Sequence, residues 1–225
     1  MFHDASGVLW LVSNQGVEQI NESYITNYEV VFDIPINANE IKFFDNEIII
    51  GSYGAGLQNF LANTFTANIN DNFSKKGLRV SDVITINNTL YIATFDGLWW
   101  LDANKNIVEK VAFPENNKLI LNLEYHNNLL YIGTNYDGVY VYDLLAKKII
   151  NHISTSQGLS SPEVIDILPL DNGYTWLATA SAVEITNNQT NSTRNIILPG
   201  SSKVVSLLKA DNKIFAATLG DGIYA

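Results

Sequence analysis

The sequence predicts an all-β chain built from about six tandem four-stranded repeats, the plan of a β-propeller. Two observations carry this: one hairpin recurs along all 225 residues, and three residue markers inside it keep a common period. Copies of the hairpin read GVLWLVSNQGVEQI from Gly7, NEIIIGSYGAGLQNF from Asn46, NTLYIATFDGLWWLD from Asn88, NLLYIGTNYDGVYVYD from Asn128, YTWLATASAVEIT from Tyr174 and NKIFAATLGDGIYA from Asn212.

The first marker is a small hydroxyl residue that ends one strand: Ser13, Ser52, Thr94, Thr134, Thr179 and Thr218, in steps of 39, 42, 40, 45 and 39. The second opens the next strand and is Gly16, Gly56, Gly97, Gly138 and Gly222, with Ala182 in the fifth copy. The third precedes each hairpin: Asp45-Asn46, Asn87-Asn88, Asn127-Asn128, Asp171-Asn172-Gly173 and Asp211-Asn212, with Asp4 to Gly7 in the first copy. Asn, Asp and Gly accept the positive φ that two-residue hairpin turns demand, so the third marker joins an inner strand to its neighbour. The glycine permits a sharp turn, and the hydroxyl before it can bond to turn backbone.

Between markers the residues run apolar or alternate, with many β-branched and aromatic side chains, as in DVITI, TLYIAT, GLWWLD and NIVEKVAF. Each repeat therefore holds four strands, named a to d from the axis outward. Blade boundaries fall at residues 1–36, 37–78, 79–118, 119–158, 159–200 and 201–225. Strands a and b are the most apolar, as faces covered by neighbouring blades require, and Trp10, Trp99, Trp100 and Trp176 are read as packing residues. The first copy begins at strand b and the last ends after strand c. The chain is accordingly read as a piece of a longer propeller of seven or more blades, with blade 1 lacking strand a and blade 6 lacking strand d. Open half-blades present unpaired edges, so self-association by strand pairing is expected.

Composition narrows the function. The chain is 47% hydrophobic and carries 13 basic against 23 acidic residues, a net charge of -10 that disfavours nucleic acid and anionic lipid as partners. It has no cysteine, which rules out disulfides and zinc-thiolate sites and leaves the redox compartment open. No apolar run is long enough to span a membrane, and the opening residues lack the blocks of a signal peptide, so any anchor is expected outside this sequence.

The turn, G-x-LW-x-x-T and D-G-L or G-V pattern resembles the two-component regulator propeller repeat. The residues that carry the resemblance are DASGVLWLVSNQGVEQI at Asp4, NNTLYIATFDGLWWLD at Asn87, NNLLYIGTNYDGVYVYD at Asn127 and NKIFAATLGDGIYA at Asn212. STSQGLSSPEVIDIL from Ser154 is similar to that family's loop between blades. Copies two and five depart from it, at Gly51-Ser52-Tyr53 and at Ala182. In that family the propellers form the extracytoplasmic sensing part of membrane receptors with a histidine kinase or diguanylate cyclase output. The resemblance implies a periplasmic sensor segment whose output domain lies outside this sequence.

No catalytic constellation, cofactor site or metal site is expected. His3, His126 and His152 lack ligand spacing, and the run Asp102 to Asn106 has Ile107 and Phe113 where a calcium loop needs Gly and Glu. There is no G-x-S-x-G elbow, phosphate loop or HExxH motif. Asp96, Asp137 and Asp221 recur at one slot of the b-to-c loop, which argues for a turn role. The b-to-c and d-to-a loops of a propeller converge on one face, and there the sequence places Tyr53, Phe95, Asn135 and Tyr136, with Lys75, Lys76 and Arg79 between blades. Aromatic rings beside amides suit a sugar or peptide, and the basic trio suits an anionic group. A plain solvated loop is the other reading. The leading function is a non-catalytic sensor domain that binds a small ligand, with carbohydrate or oligosaccharide as a candidate class, or that relays a signal. A protein-binding propeller scaffold is the alternative, and a propeller lyase or hydrolase comes third because no carboxylate pair can be assembled.

Overall fold

The computed structural model describes residues 2–4, 8–13, 16–20, 25–28, 30–31, 34–35, 37–61, 64–66, 79–102, 107–114, 118–200 and 203–225. They form two compact units, residues 1–111 and 112–225, each a row of three antiparallel sheets. In the first unit, blade 1 has strands Phe2–His3, Leu9–Ser13, Gly16–Ile20 and Ile25–Tyr28. Blade 2 follows with Ala38–Phe44, Glu47–Ser52, Gly56–Leu61 and Thr64–Thr66, and blade 3 with Val80–Ile86, Thr89–Thr94, Gly97–Leu101 and Ile107–Lys110. In the second unit, blade 4 is Ile120–His126, Leu129–Thr134, Val139–Asp143 and Lys148–Ile153. Blade 5 is Val164–Pro169, Tyr174–Thr179, Val183–Asn187 and Thr193–Ile196, and blade 6 is Val204–Ala210, Lys213–Thr218 and Ile223–Tyr224.

Each sheet keeps sequence order from the inner strand outward. The inner strand left out of blade 1 by the sequence reading is present as a two-residue stub, with Phe2 opposite Trp10 and His3 opposite Leu9. Blade 6 has three strands among the described residues, as expected. Periodicity did not announce the small ribbon between blades 1 and 2, Val30–Val31 with Ile34–Pro35, because two-residue strands carry no pattern.

The three markers do the work their chemistry suggests. Asp45-Asn46, Asn87-Asn88 and Asn127-Asn128 hold φ between 46° and 62°, the left-handed pair of a type I′ hairpin turn. At the b-to-c turn, the Thr94 hydroxyl donates to the Gly97 carbonyl at 2.7 Å and accepts from Asp96 N–H at 3.1 Å. Thr134 repeats this with Gly138 and Asp137, both at 2.9 Å, and Thr218 with Gly222 and Asp221 at 2.9 and 3.1 Å. The recurring aspartates thus serve the turn through their backbone N–H.

One repeated feature was not foreseen. Every inner strand from blade 2 to blade 6 slips register near its start, at Ala38/Glu40, Val80/Asp82, Ile120/Asn122, Val164/Asp166 and Val204/Ser206. Such a bulge adds one unpaired residue and bends the strand. Side chains then tie neighbouring inner strands together: Asn39 Nδ2 donates to the Ser81 carbonyl at 2.6 Å, and Leu207 N–H donates to Asp166 Oδ2 at 2.7 Å.

The core lies between blades. Trp10 and Val17 of blade 1 pack on Ala38, Ile41, Ile48 and Ile50 of blade 2, with the Trp10 ring edge-on to Phe60 at 4.7 Å. Leu57 meets Val80 and Ile92; Val139 meets Val164 and Leu177; Val183 meets Val204 and Ala216. Fully burying each such side chain contributes roughly 1.5–3 kcal/mol.

Candidate functional site: the loop face of each unit

The loop face is held by one backbone tie used in five blades. The residue after the hydroxyl marker donates to the residue just before strand a: Tyr53 to Asn37, Phe95 to Arg79, Asn135 to Leu119, Ala180 to Glu163 and Leu219 to Lys203, at 2.9–3.2 Å. Each b-to-c loop is thereby fastened to its own blade's entry loop. Candidate side chains at this slot start from fixed backbone.

In the first unit the structure brings Tyr53, Phe95 and Arg79 together. The Tyr53 and Phe95 rings lie 5.4 Å apart at 56°, and the Arg79 guanidinium carbon sits 5.7 Å from the Phe95 centroid. Arg79 is exposed, whereas Asp82, on the bulge of the same blade, is buried. Partial burial, with the Asp82 charge second, pushes the Tyr53 phenol above its ordinary range. Lys75 and Lys76 lie outside the described residues.

In the second unit Asn135 and Tyr136 top a network that sequence reasoning missed. Tyr136 is 70% exposed. Lys118 is only 4% exposed, pairs at 2.7 Å with Oδ2 of Asp137, the residue after Tyr136, and lies 5.6 Å from the Tyr140 centroid. Tyr140 stacks on His152 at 4.1 Å and 1°, with Phe113 edge-on at 5.1 Å. His152 Nε2 is 2.6 Å from the Asp137 carbonyl, which can only accept, so that nitrogen carries the proton. The signal available in the sequence was Asp137 itself, noted as a turn residue; its lysine, 19 positions earlier, had no motif to mark it.

Blade 5 closes its turn with the same hydroxyl bonds, Thr179 donating to the Ala182 carbonyl at 3.0 Å and accepting from the Ser181 N–H at 3.4 Å, but without the glycine. Ala182 replaces the glycine, and Glu184, wholly buried two residues on, accepts through Oε1 from the Ser160 N–H at 3.0 Å and the Ser160 hydroxyl at 2.7 Å. This pins the Gly158-Leu159-Ser160 loop, whose Leu159 is buried between blades 4 and 5. The short 3-10 turn before it, Thr155–Gln157, is capped reciprocally by Ser154 and Gln157 and ended by Gly158 at φ 103°.

A concavity of about 530 Å³ occurs on blade 5, lined by Tyr174, Trp176, Ile185, Asn187 and Arg194 among others. It lies among strands b to d, away from the loop face. Its Trp176 and Ile185 occupy the slots of Tyr131 and Val141 in blade 4, which are 3% and 4% exposed. Asn151, the slot mate of Arg194, exchanges two hydrogen bonds with Asn191 of blade 5 at 2.8 and 3.0 Å. The concavity thus falls on the surface that, in blade 4, the following blade covers.

These sheets, their order and their interblade cores define a β-propeller. No described protein family matches the sequence, and no curated protein does. Solved structures do match. The extracellular domain of BT3049 from B. thetaiotaomicron, assigned as a hybrid two component system, is 21% identical at TM-score 0.77, over 99% of this chain and 32% of that one. The extracellular domain of BT4673 from the same organism, assigned as a one component system, is 16% identical at TM-score 0.74, over 88% and 27%. The WD40 propeller domain of Doa1 is 15% identical at TM-score 0.70, over 99% and 75%. The chain spans 32% and 27% of the length of the two extracellular domains. At these identities the likeness is one of fold.

Proposed function

We propose that this chain is a non-catalytic, extracytoplasmic sensor segment of a two-component-type receptor, and that its loop face binds a small ligand, with oligosaccharide as the ligand class. The repeat pattern and the extracellular propellers among its structural neighbours support the receptor reading. The observation that carries the binding reading is Tyr136: an aromatic ring exposed to solvent on a loop stiffened by the Lys118–Asp137 pair and the Tyr140–His152 stack. A flat exposed ring on fixed backbone can stack on the apolar face of a sugar with little backbone ordering cost. In the first unit Tyr53 and Phe95 offer a second aromatic surface with Arg79 beside it for a polar or anionic substituent. Two of the loop-face carboxylates have cationic partners, Asp96 with Lys110 at 3.1 Å and Asp137 with Lys118, which favours binding over acid–base chemistry at those positions.

Thermal-shift screening of the chain against an oligosaccharide panel, followed by calorimetry, tests this. A hit whose affinity falls about 10-fold or more in Tyr136→Ala or Tyr53→Ala is expected, since one stacked ring is worth roughly 1–2 kcal/mol. Unchanged affinity in both variants removes the loop face as the site.

A further inference from the structure

Within the first unit, Tyr53, Phe95 and Arg79 reach the loop face from backbone that is already tied. Phe95 N–H donates to the Arg79 carbonyl at 3.1 Å, and Tyr53 N–H donates to the Asn37 carbonyl at 3.0 Å. The Phe95 ring and the Arg79 guanidinium, 5.7 Å apart, thus belong to two residues that one backbone hydrogen bond joins. A planar guanidinium held there keeps its donors in one fork and loses little freedom when it binds.

In the second unit the loop-face cations are engaged. Lys118 pairs with Asp137 at 2.7 Å, and Lys203, just before strand a of blade 6, pairs with Glu163, its counterpart in blade 5, at 2.5 Å. In blade 3 of the first unit, Asp96 takes Lys110 at 3.1 Å. Arg79 holds the same slot as Glu163 and Lys203 and is exposed, yet among the described residues its guanidinium meets the Phe95 ring and no carboxylate. Asp82 of the same blade is buried on the strand bulge, where its Oδ1 accepts the Val83 N–H at 2.7 Å. Burial and the Asp82 charge also hold the Tyr53 phenol in its protonated form, able to donate.

We propose that the loop face of the first unit selects an acidic oligosaccharide, with a uronate carboxylate on the Arg79 guanidinium and the sugar ring on Tyr53 and Phe95. This rests on the loop-face reading above and names the ligand class of its first-unit site. A carboxylate offers two oxygens in one plane, and a guanidinium fork engages both by parallel hydrogen bonds. The net charge of -10 repels anions at long range, so the selectivity comes from contact with this one cation.

Calorimetry of the 225-residue chain with matched compounds tests it: galacturonate and glucuronate oligosaccharides, the same compounds with each carboxylate reduced to the alcohol, and sulfated forms of the reduced compounds. A uronate form is expected to bind about 10-fold or more tighter than its reduced form, as one charge-assisted pair contributes. Arg79→Met is expected to abolish that preference and to leave the reduced compounds' affinity unchanged. Arg79→Lys is expected to keep part of it, since the charge remains and the fork is lost. Tyr53→Ala is expected to weaken both forms alike, and Tyr136→Ala, in the second unit, to leave the preference intact. Arg79 is exposed and its tie to Phe95 uses backbone atoms, so its variants are expected to match wild type by circular dichroism. Equal binding of uronate and reduced forms, a preference that survives Arg79→Met, or tighter binding of the sulfated form overturns the proposal while sugar binding itself stands. Binding of no compound overturns both.

Discussion

Asp166 of blade 5 accepts the Leu207 N–H of blade 6 at 2.7 Å through one carboxylate oxygen, and the N–H of its own neighbour Ile167 at 2.9 Å through the other. The same carboxylate thus closes a strand bulge and joins two blades. Burial pushes its pKa above the usual carboxylate value, although the hydrogen bonds from Leu207, Ile167 and Ser206 pull the other way.

A raised folded-state pKa means that protonation favours the folded form. The stability of wild type relative to Asp166→Asn is therefore expected to be greatest at acid pH, to fall as pH rises through and above about 4, and to level off once the group is ionised. Denaturant titrations of both proteins across that range read the difference directly. A wild-type advantage that grows with pH would show the hydrogen bonds outweighing burial.

Glu184 is expected to matter as an acceptor rather than as a charge. Glu184→Ala leaves the Ser160 donors without their partner and is expected to cost about 1–3 kcal/mol. Glu184→Gln keeps an accepting oxygen and should cost clearly less; equal losses in urea midpoint would refute the acceptor role.

The glycine markers are not equivalent. A Cβ on Gly138, at φ 75°, would overlap the Ile153 carbonyl oxygen, so Gly138→Ala is expected to cost more than about 3 kcal/mol. Gly222, at φ 83°, has open space around it, and Gly222→Ala should cost only about 1 kcal/mol, the backbone penalty alone. Thermal melts of the two variants rank them; similar losses would mean that backbone conformation, not the close approach, governs the turn.

Lys118→Met is expected to loosen the blade 4 loop, while Tyr136→Ala should leave stability unchanged. Removing one partner of a buried pair costs several kcal/mol, but Asp137 is 32% exposed, so about 1–2 kcal/mol is the expected loss. Hydrogen exchange at Asn135 and Tyr136 should accelerate in Lys118→Met; unaltered protection would show that the pair does not stiffen the loop.

Much of the fold was legible because it is local. The Asn-Asn and Asp-Asn turns, the Ser or Thr hydroxyls of the b-to-c turns and the apolar strands act within a few residues of themselves. Of the loop-face residues, Tyr53, Phe95 and Arg79 do meet, because each sits at a slot that the repeat places at the same end of its blade. Lys118, His152 and Tyr140 were missed because their meeting depends on strands c and d and an entry loop converging.

The sequence alone determined the repeat, its strand count, its turn chemistry and the end of each blade where the loops gather, since all of these follow from side-chain period and from φ preferences read locally. Only the tertiary structure decided the bulge in the inner strands of blades 2 to 6, the buried Lys118 and the Glu184 anchor. These depend on which surfaces meet across tens of residues, and burial, unlike periodicity, is a property of the neighbours a side chain acquires.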